Sequence, residues 1–423
     1  MEDRNSLSAA LKQFGEEIEA LQTSLGQSAM FFGMLRSEAN KTLKDFARKY
    51  GETFEESEKA YTATIPSAKV TDFKRLEKRV KSVRSSARLL PRNFLVALLC
   101  TYDAFLGKVI RYILTKKPQL LEGSERAMTF EQLLKFQDIA AAREYLVEKE
   151  IESVLRKSHV DHFIWLESKL NCSLRNGLEV WPAFVELTQR RNLFVHTDGV
   201  VSSQYLKICA EHKCELSQDI GVAAKLEADI EYFNRAFEVI YEIAIKLTQV
   251  VWRRLEKSEI KQAGAELSEI SLELLDNGHY DIAIRVLSFF TEKGVKHEEE
   301  SARRVHVINL AQAYKWNERE EDCRRTLDSC DWSGWGDNFK LALHVLREEW
   351  NEAFGCMRRL AHDEKFSRRN YREWPLFKKL RAHADFPAVY KECYDEDFPR
   401  KESVPRPKES PAAVKVSTPE TAS

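Results

Sequence analysis

The chain has 423 residues, a length that indicates two or three domains rather than one. Apolar residues make up 43% and charged residues 31%, a composition that supports sizeable cores beneath an exposed helical surface. The formal net charge of -1 excludes a global electrostatic attraction to nucleic acid or membrane, so any anion-binding surface must be local. Glycine and proline are sparse, and strand-like alternation is rare. These features predict an all-α protein.

Cysteine usage and the longest apolar run indicate the compartment. The eight cysteines are scattered without a Cys-x-x-Cys pair, and the first residues lack a secretory apolar core. Residues 94–114 form the longest apolar run, but they include Asp103, Lys108 and Arg111. This run predicts a buried amphipathic helix rather than a membrane span. We therefore expect a cytoplasmic protein with free thiols and no membrane partner.

Residues 1–90 carry two apolar stripes with heptad spacing. The stripes consist of Leu11, Phe14, Ile18, Leu21 and Leu25, and then of Phe73, Leu76, Val80 and Val83. A connection over 61–69 predicts a long antiparallel helical pair that packs on a neighbour or on a second subunit. Residues 74–88 are strongly basic. They form either a strip that contacts phosphates or the solvated face of a helix whose other side is apolar.

Residues 91–258 are predicted to form a bundle of four or five helices. Pro91 suits a first helical turn, and Thr129 with Gln132 has the spacing of a capping box. Asn176 and Gly177 break the pattern near its middle. The predicted helices cover 91–114, about 129–136, 141–170, 180–196 and 224–255.

Residues 263–398 contain recurring short helix pairs with a small residue in the second helix. The small residues are Ala283, Cys323, Ala353 and Ala388, separated by steps of 40, 30 and 35. This spacing resembles degenerate tetratricopeptide repeats, which present a concave surface to a peptide, a protein or an RNA. Residues 399–423 are rich in Pro, Ser and Lys and are predicted to be disordered.

The segment 190–199 concentrates the chemically useful side chains. Arg190 and Arg191, Asn192 and His196 lie within a turn and a half, and Gly199 predicts a helix stop just beyond them. Asn192 and His196 share a helical face, whereas Arg191 and His196 lie about 140° apart on a regular helix. An arginine can hold a phosphodiester, and an imidazole can move a proton near neutral pH without a metal. The alternative is a helix-capping histidine beside surface arginines.

The run Arg191-Asn192-Leu193-Phe194-Val195-His196 resembles the Arg-polar-x-x-x-His motif of the HEPN superfamily, and the likeness covers about 91–255. The resemblance implies a metal-independent endoribonuclease without a cofactor, whose active site forms where two motifs meet across a homodimer. Arg191 would hold the scissile phosphate, His196 would transfer the proton, and Asn192 would orient His196 or contact the phosphate. Arg190 gives a second possible start of the motif, with one more intervening residue. Asp103 is the candidate accessory acid.

The resemblance also implies a role as a regulated toxin or defence RNase, with the repeats controlling the nuclease. A non-catalytic scaffold, a nucleotide-binding interaction protein and a partner module of a nucleotidyltransferase remain alternatives. Two groups could suggest zinc: Cys209, His212 and Cys214, and the pair His159 and His162. Neither group has a convincing full ligand set in the sequence, so ordinary buried or free side chains are favoured and no metal is predicted.

Overall fold

The structure is a computed structural model that describes residues 6–57, 60–121, 128–292, 295–297, 299–363 and 366–399. The tail predicted to be disordered therefore lies, apart from Pro399, outside the described residues. Within them, seventeen α-helices accompany a single two-stranded sheet, which confirms the all-α prediction. The chain divides into two compact units, Met1–Glu318 and Arg319–Ser423.

Two long helices open the first unit. Helix α1 (Leu7–Tyr50) begins at Ser6, whose side chain accepts from the Ala9 amide, and α2 (Val70–Lys116) packs along it. The pair is antiparallel, because Phe14 near the start of α1 contacts Phe105 near the end of α2. The predicted helical pair is confirmed. Leu11, Phe14, Ile18 and Leu25 of the first stripe are all buried.

A β-hairpin connects the two helices where the sequence predicted only a connection. Strands β1 (Thr53–Glu56) and β2 (Tyr61–Thr64) pair antiparallel, with Thr53 opposite Thr64. Glu56 forms ion pairs with Lys44 and Arg48 of α1, which hold the hairpin against the helix. The strands have four residues each and are mostly exposed, and only β2 alternates between half-buried and exposed positions, so the periodic signal in the sequence is short.

The helical pair contains two separate cores. Residues up to Leu25 on α1 and from Leu95 onward on α2 belong to the large core of the first unit. Ala39, Leu43 and Val80 form a small second core nearer the hairpin. We call the part of the pair on the hairpin side of the large core, residues 26–50 of α1 and 70–94 of α2, the arm. Between the two cores, the arm exposes three large apolar side chains of α1, namely Met30, Phe31 and Met34.

Pro91 lies inside α2 and does not begin a helix, so the predicted boundary between residues 90 and 91 falls within one continuous helix. Pro91 is itself buried, and packing of α2 on both sides of it outweighs the loss of one backbone hydrogen bond. A segment within Ser67–Lys116 is the one candidate membrane span by length and composition among the described residues. Its apolar side chains from Leu95 to Leu114 fill the core, as expected for a buried helix of a bundle.

Six further helices follow α2. They are α3 (Phe130–Leu133), α4 (Ile139–Leu155), α5 (His159–Leu170), α6 (Trp181–His196), α7 (Ser203–Glu211) and α8 (Ile230–Leu255). The helix predicted over 180–196 agrees with α6, and the Thr129–Gln132 capping box is present. The single helix predicted over 141–170 is wrong: Ser158 caps a new helix and separates α4 from α5. Helix α8 begins at Ile230 rather than near 224, because Asp229 caps it there.

Three more helices complete the first unit: α9 (Ile260–Asp276), α10 (Tyr280–Thr291) and α11 (Glu300–Trp316). Buried residues of these helices, such as Leu267, Leu287 and Leu310, belong to the same core as α2 and α8. The division into compact units therefore falls at Glu318, later in the chain than the sequence boundary near residue 260.

The second unit consists of shorter helices. They are α12 (Glu320–Asp328), α13 (Asp337–Arg347), α14 (Trp350–Leu360), α15 (Asn370–Glu373), α16 (Lys378–Ala382) and α17 (Phe386–Tyr394). The small residues Ala283, Cys323 and Ala353 are buried near the starts of α10, α12 and α14. Ala388 on α17 is exposed, so the fourth position departs from this pattern.

Candidate functional site at the end of α6

Helix α6 ends at His196 in a turn that requires glycine. The Leu193 carbonyl accepts hydrogen bonds from the amides of Thr197 (2.9 Å) and Gly199 (3.0 Å). Gly199 has a φ of +83°, and a Cβ there would lie 2.7 Å from the Leu226 carbonyl oxygen. The predicted helix stop is confirmed. The turn leaves His196 as the last helical residue, with its side chain exposed.

Arg190 belongs to a buried polar network. Its Nε donates to Glu186 Oε1 at 2.7 Å, and its guanidinium lies 4.2 Å from the ring centre of Tyr232. The hydroxyls of Tyr205 and Tyr232 also donate to the Glu186 carboxylate, each at 2.6 Å. Burial, reinforced by the Glu186 charge, raises the pKa of both tyrosines, so their hydroxyls remain protonated donors. Every group in this network therefore has a structural partner.

Arg191 faces α2, away from that network. Its Nη2 atom lies 3.5 Å from Asp103 Oδ2, and its side chain is 19% exposed. Its Nε atom is buried and has no hydrogen-bond partner among the described residues. The structure thus brings together Asp103 and Arg191, which are 88 positions apart in the chain. The guanidinium keeps N–H groups that could donate hydrogen bonds to an anion.

Two histidines of α5 adjoin Asp103. Nε2 of His159 lies 2.9 Å from Asp103 Oδ1, and the His159 and His162 ring centres are 5.0 Å apart. Both side chains are buried. Burial, together with nearby His159, lowers the pKa of His162 to about 4, so its ring is neutral at pH 7. The His-x-x-His spacing is visible in the sequence, but nothing in the sequence connects that pair to Asp103 on α2.

His196 occupies different surroundings from Arg191. It makes no hydrogen bond or ion pair with any residue that the structure describes, and exposed Val195 and Val200 flank it. Asp198, just beyond it, is paired with Arg92 and Lys225. Hydrogen bonds from Lys225 and Arg92 lower the pKa of Asp198 to about 2. His196 is therefore an accessible imidazole beside a fixed ionic cluster.

Within one chain, the motif does not converge on a single cleft through direct contact. Arg191 and His196 project about 140° apart around α6. Asn192 is half-buried on the same helical face as His196. Arg191 interacts with Asp103 rather than with either of them. The arrangement places a guanidinium and an exposed imidazole about 140° apart around the same helix.

The basic segment 74–88 lies on the surface of α2. Its seven cations are all exposed: Lys74, Arg75, Lys78, Arg79, Lys81, Arg84 and Arg88. Arg88 pairs with Glu227, and Arg92 one turn later donates to the Phe194 carbonyl. The cations of α2 therefore extend to the C-terminal turn of α6, where Arg88 and Arg92 are paired with Glu227 and Asp198.

The cysteine group weighed as a zinc site is engaged in other contacts. Cys209 is buried, and the Cys214 thiol lies 3.1 Å from the Pro182 carbonyl oxygen. His212 Nδ1 accepts a hydrogen bond from the Trp181 indole at 3.4 Å. Among the described residues, these side chains do not form a group of three or more ligand atoms close enough for one ion.

Comparison with known proteins adds no relative. No protein-family model, curated protein or solved structure matches this chain. The resemblance to HEPN domains therefore rests on the motif and its helical surroundings, and the functional argument rests on the geometry of this chain.

Gly199→Ala tests the turn that ends α6. We expect the free energy of unfolding to fall by about 2 to 3 kcal/mol, because a positive φ and the Leu226 carbonyl both oppose a Cβ. Gly177→Ala is the matched control, since Gly177 has a φ of +76° but no atom within 4 Å of the added Cβ. Urea denaturation of both variants gives the comparison. Equal losses would contradict the role of the Leu226 contact.

The two adjacent arginines are expected to differ in their effect on stability. Arg190→Ala leaves the buried Glu186 carboxylate without its cation and should lower the free energy of unfolding by about 3 to 5 kcal/mol. Arg191→Ala removes a longer, partly exposed pair and should cost about 1 kcal/mol or less. Urea denaturation monitored by circular dichroism measures both. A larger loss from Arg191→Ala than from Arg190→Ala would reverse this assignment.

Proposed function

We propose that this chain is a metal-independent endoribonuclease that cleaves RNA through attack of the ribose 2′-hydroxyl. The observation that carries the proposal is the difference between the polar side chains of α6. Arg190 is committed to Glu186, whereas Arg191 makes only a long 3.5 Å contact with Asp103, and His196 is an accessible imidazole. Arginine, asparagine and histidine are sufficient for this reaction without a metal.

Arg191 is the phosphate-binding group in this proposal. Its guanidinium donates to two non-bridging oxygens of the scissile phosphate and stabilises the extra negative charge of the transition state. Asp103, 3.5 Å away, keeps the guanidinium directed toward α2 until an anion competes for it. Asn192 lies next to Arg191 and adds an amide donor.

His196 is the proton-transfer group. One imidazole removes the proton of the 2′-hydroxyl as its oxygen attacks phosphorus, and the bond to the 5′-oxygen breaks. A second imidazole, from His196 of another copy, donates a proton to that leaving oxygen. The products are a 2′,3′-cyclic phosphate and a free 5′-hydroxyl. His159 does not suit this role because the residue is only 4% exposed.

A homodimer is part of the proposal. Val195 and Val200 are 50% and 38% exposed, and they flank His196 with apolar surface that a second copy would cover. Pairing two copies at this surface brings two His196 side chains to one cleft. It also brings an Arg191 from either chain to that cleft. Within one chain, Arg191 is not directed toward the His196 of the same chain.

The basic surface of α2 favours RNA as the substrate. Lys74, Lys78, Arg79 and Arg84 have no ion pair among the described residues, so they are available to phosphates. Residues 74 to 92 span about 27 Å of helix, at 1.5 Å per residue, and end beside α6. An RNA strand bound along this surface therefore reaches the motif.

The wider role in this proposal comes from the resemblance to HEPN domains alone. It is that of a regulated toxin or defence RNase in the cytoplasm. The helix pairs of the C-terminal region would bind the protein, peptide or RNA that controls it.

Cleavage of an RNA pool that includes tRNA tests the proposal, with and without EDTA. We expect the wild-type chain to give 2′,3′-cyclic phosphate ends in both conditions. His196→Ala and Arg191→Ala should each reduce the rate at least about 100-fold, because proton transfer and phosphate binding each contribute at that scale. His212→Ala, a half-buried histidine of the same bundle, is the control and should cleave as the wild type does.

Equal cleavage by wild type and His196→Ala would remove His196 from the mechanism. No cleavage by either would favour the non-catalytic scaffold. A dimer measured by sedimentation in wild type, and weakened by Val195→Asp, would support the shared cleft independently of activity.

A further inference from the structure

Asp103, His159 and His162 form a group that the nuclease proposal does not use as a unit. One potential ligand atom from each residue lies within 4.8 Å of the other two, and no other group of this kind occurs among the described residues. Donor atoms around a tetrahedral zinc ion lie about 3.3 Å apart, as expected from bonds of about 2.0 to 2.1 Å. Side-chain movements of about 1 Å would therefore bring the three donors onto one ion.

His162 supplies the decisive observation. The residue is 1% exposed, and neither ring nitrogen makes a well-aligned hydrogen bond among the described residues, although the backbone carbonyls of Leu155 and Lys157 lie near the ring. A buried polar atom without a partner destabilises the folded state. His306, the other fully buried histidine, has one ring nitrogen (Nδ1) without a partner among the described residues, but its Nε2 lies 3.0 Å from the Ser268 hydroxyl. His162 therefore lacks a well-formed partner at either ring nitrogen, and a ligand at the ring would supply one.

The local structure orients the two histidines on one side. They are the first and fourth residues of α5, so their side chains share a helical face. The capping box between Ser158 and Asp161 fixes this first turn and uses the Asp161 carboxylate, which leaves Asp103 as the acidic member. The backbone carbonyls of Lys157 and Leu155 lie beside the His162 ring. A metal-bound imidazole commonly donates its second N–H to such a carbonyl.

We propose that Asp103, His159 and His162 bind a divalent transition-metal ion, with Zn²⁺ as the best match to the donors. Two imidazoles and one carboxylate are a common zinc ligand set that leaves a fourth position open. Mg²⁺ and Ca²⁺ prefer all-oxygen surroundings and are not expected here. Asp103 is 29% exposed, so an ion can reach the site from solvent past this carboxylate.

The ion would link α2 to α5 beside the motif. Asp103 Oδ1 faces His159, whereas Oδ2 faces Arg191, so the carboxylate can serve the metal and the guanidinium with different atoms. The metal would draw charge from that carboxylate and weaken its hold on Arg191. Any consequence of this effect for cleavage rests on the proposed nuclease function, but metal binding itself does not.

Metal binding by the full chain, purified without a polyhistidine tag and stripped with EDTA, tests the site. We expect one Zn²⁺ per chain after dialysis, a visible d–d absorption on titration with Co²⁺, and a higher thermal midpoint in Zn²⁺. His162→Gln should weaken Zn²⁺ binding at least tenfold and abolish the thermal shift. His306→Gln is the matched control, because His306 is equally buried but outside the group, and it should bind as the wild type does.

Three results would overturn the site: no Co²⁺ or Zn²⁺ binding by wild type, equal binding by His162→Gln, or equal loss in His306→Gln. Asp103→Asn decides the question if His162→Gln does not fold, since the amide keeps the shape of the carboxylate but is a poor zinc ligand. Because each readout measures the ion and not cleavage, failure of the nuclease proposal would leave these results interpretable.

Discussion

The buried carboxylate of Glu186 holds three helices in one arrangement, and the geometry of the motif depends on it. Glu186 on α6 accepts hydrogen bonds from Tyr205 of α7 and Tyr232 of α8, and Arg190 neutralises its charge. A buried carboxylate is costly unless it is paired and fully hydrogen-bonded, so few rotations of α6 about its axis are acceptable. The accepted rotation directs Arg190 toward α8 and the next residue toward α2. Arg191 thereby meets Asp103.

The two neighbouring arginines show why the sequence allows the motif to begin at either Arg190 or Arg191. Successive residues of a helix differ by about 100° in direction, so Arg190 and Arg191 cannot serve the same surface. Which one faces the core depends on Tyr205 and Tyr232, and both lie on other helices. The signal for the end of α6 was local, since Gly199 needs no distant partner to adopt a positive φ. The end of α6 was therefore predictable from nearby residues, whereas the directions of Arg190 and Arg191 were not.

The same distinction explains the other differences between sequence and structure. The heptad stripes predicted the pairing of α1 with α2, because the spacing of apolar residues specifies that packing. Pro91 predicted a helix start, but it lies inside α2, because a long buried face stabilises the helix on both sides of the proline. The hairpin held by Glu56 has strands of only four residues, too short for their alternation to indicate a sheet. The proximity of Asp103 to His159 and His162 arises from packing between distant segments. The spacing of residues along the sequence does not reveal such a contact.

The two cores of the helical pair differ greatly in size, although the same two helices run through both. The core formed by Ala39, Leu43 and Val80 is small, and Gly26 and Gly33 lie between it and the main core. A Cβ at either glycine would have no neighbouring atom within 4 Å, and each glycine weakens the helix by about 1 kcal/mol relative to alanine. We therefore expect backbone amides near the hairpin to exchange with solvent through local openings of low free energy. Amides of α2 between Leu95 and Leu114 should exchange only when the whole unit unfolds, so the two ends of α2 should have very different protection factors.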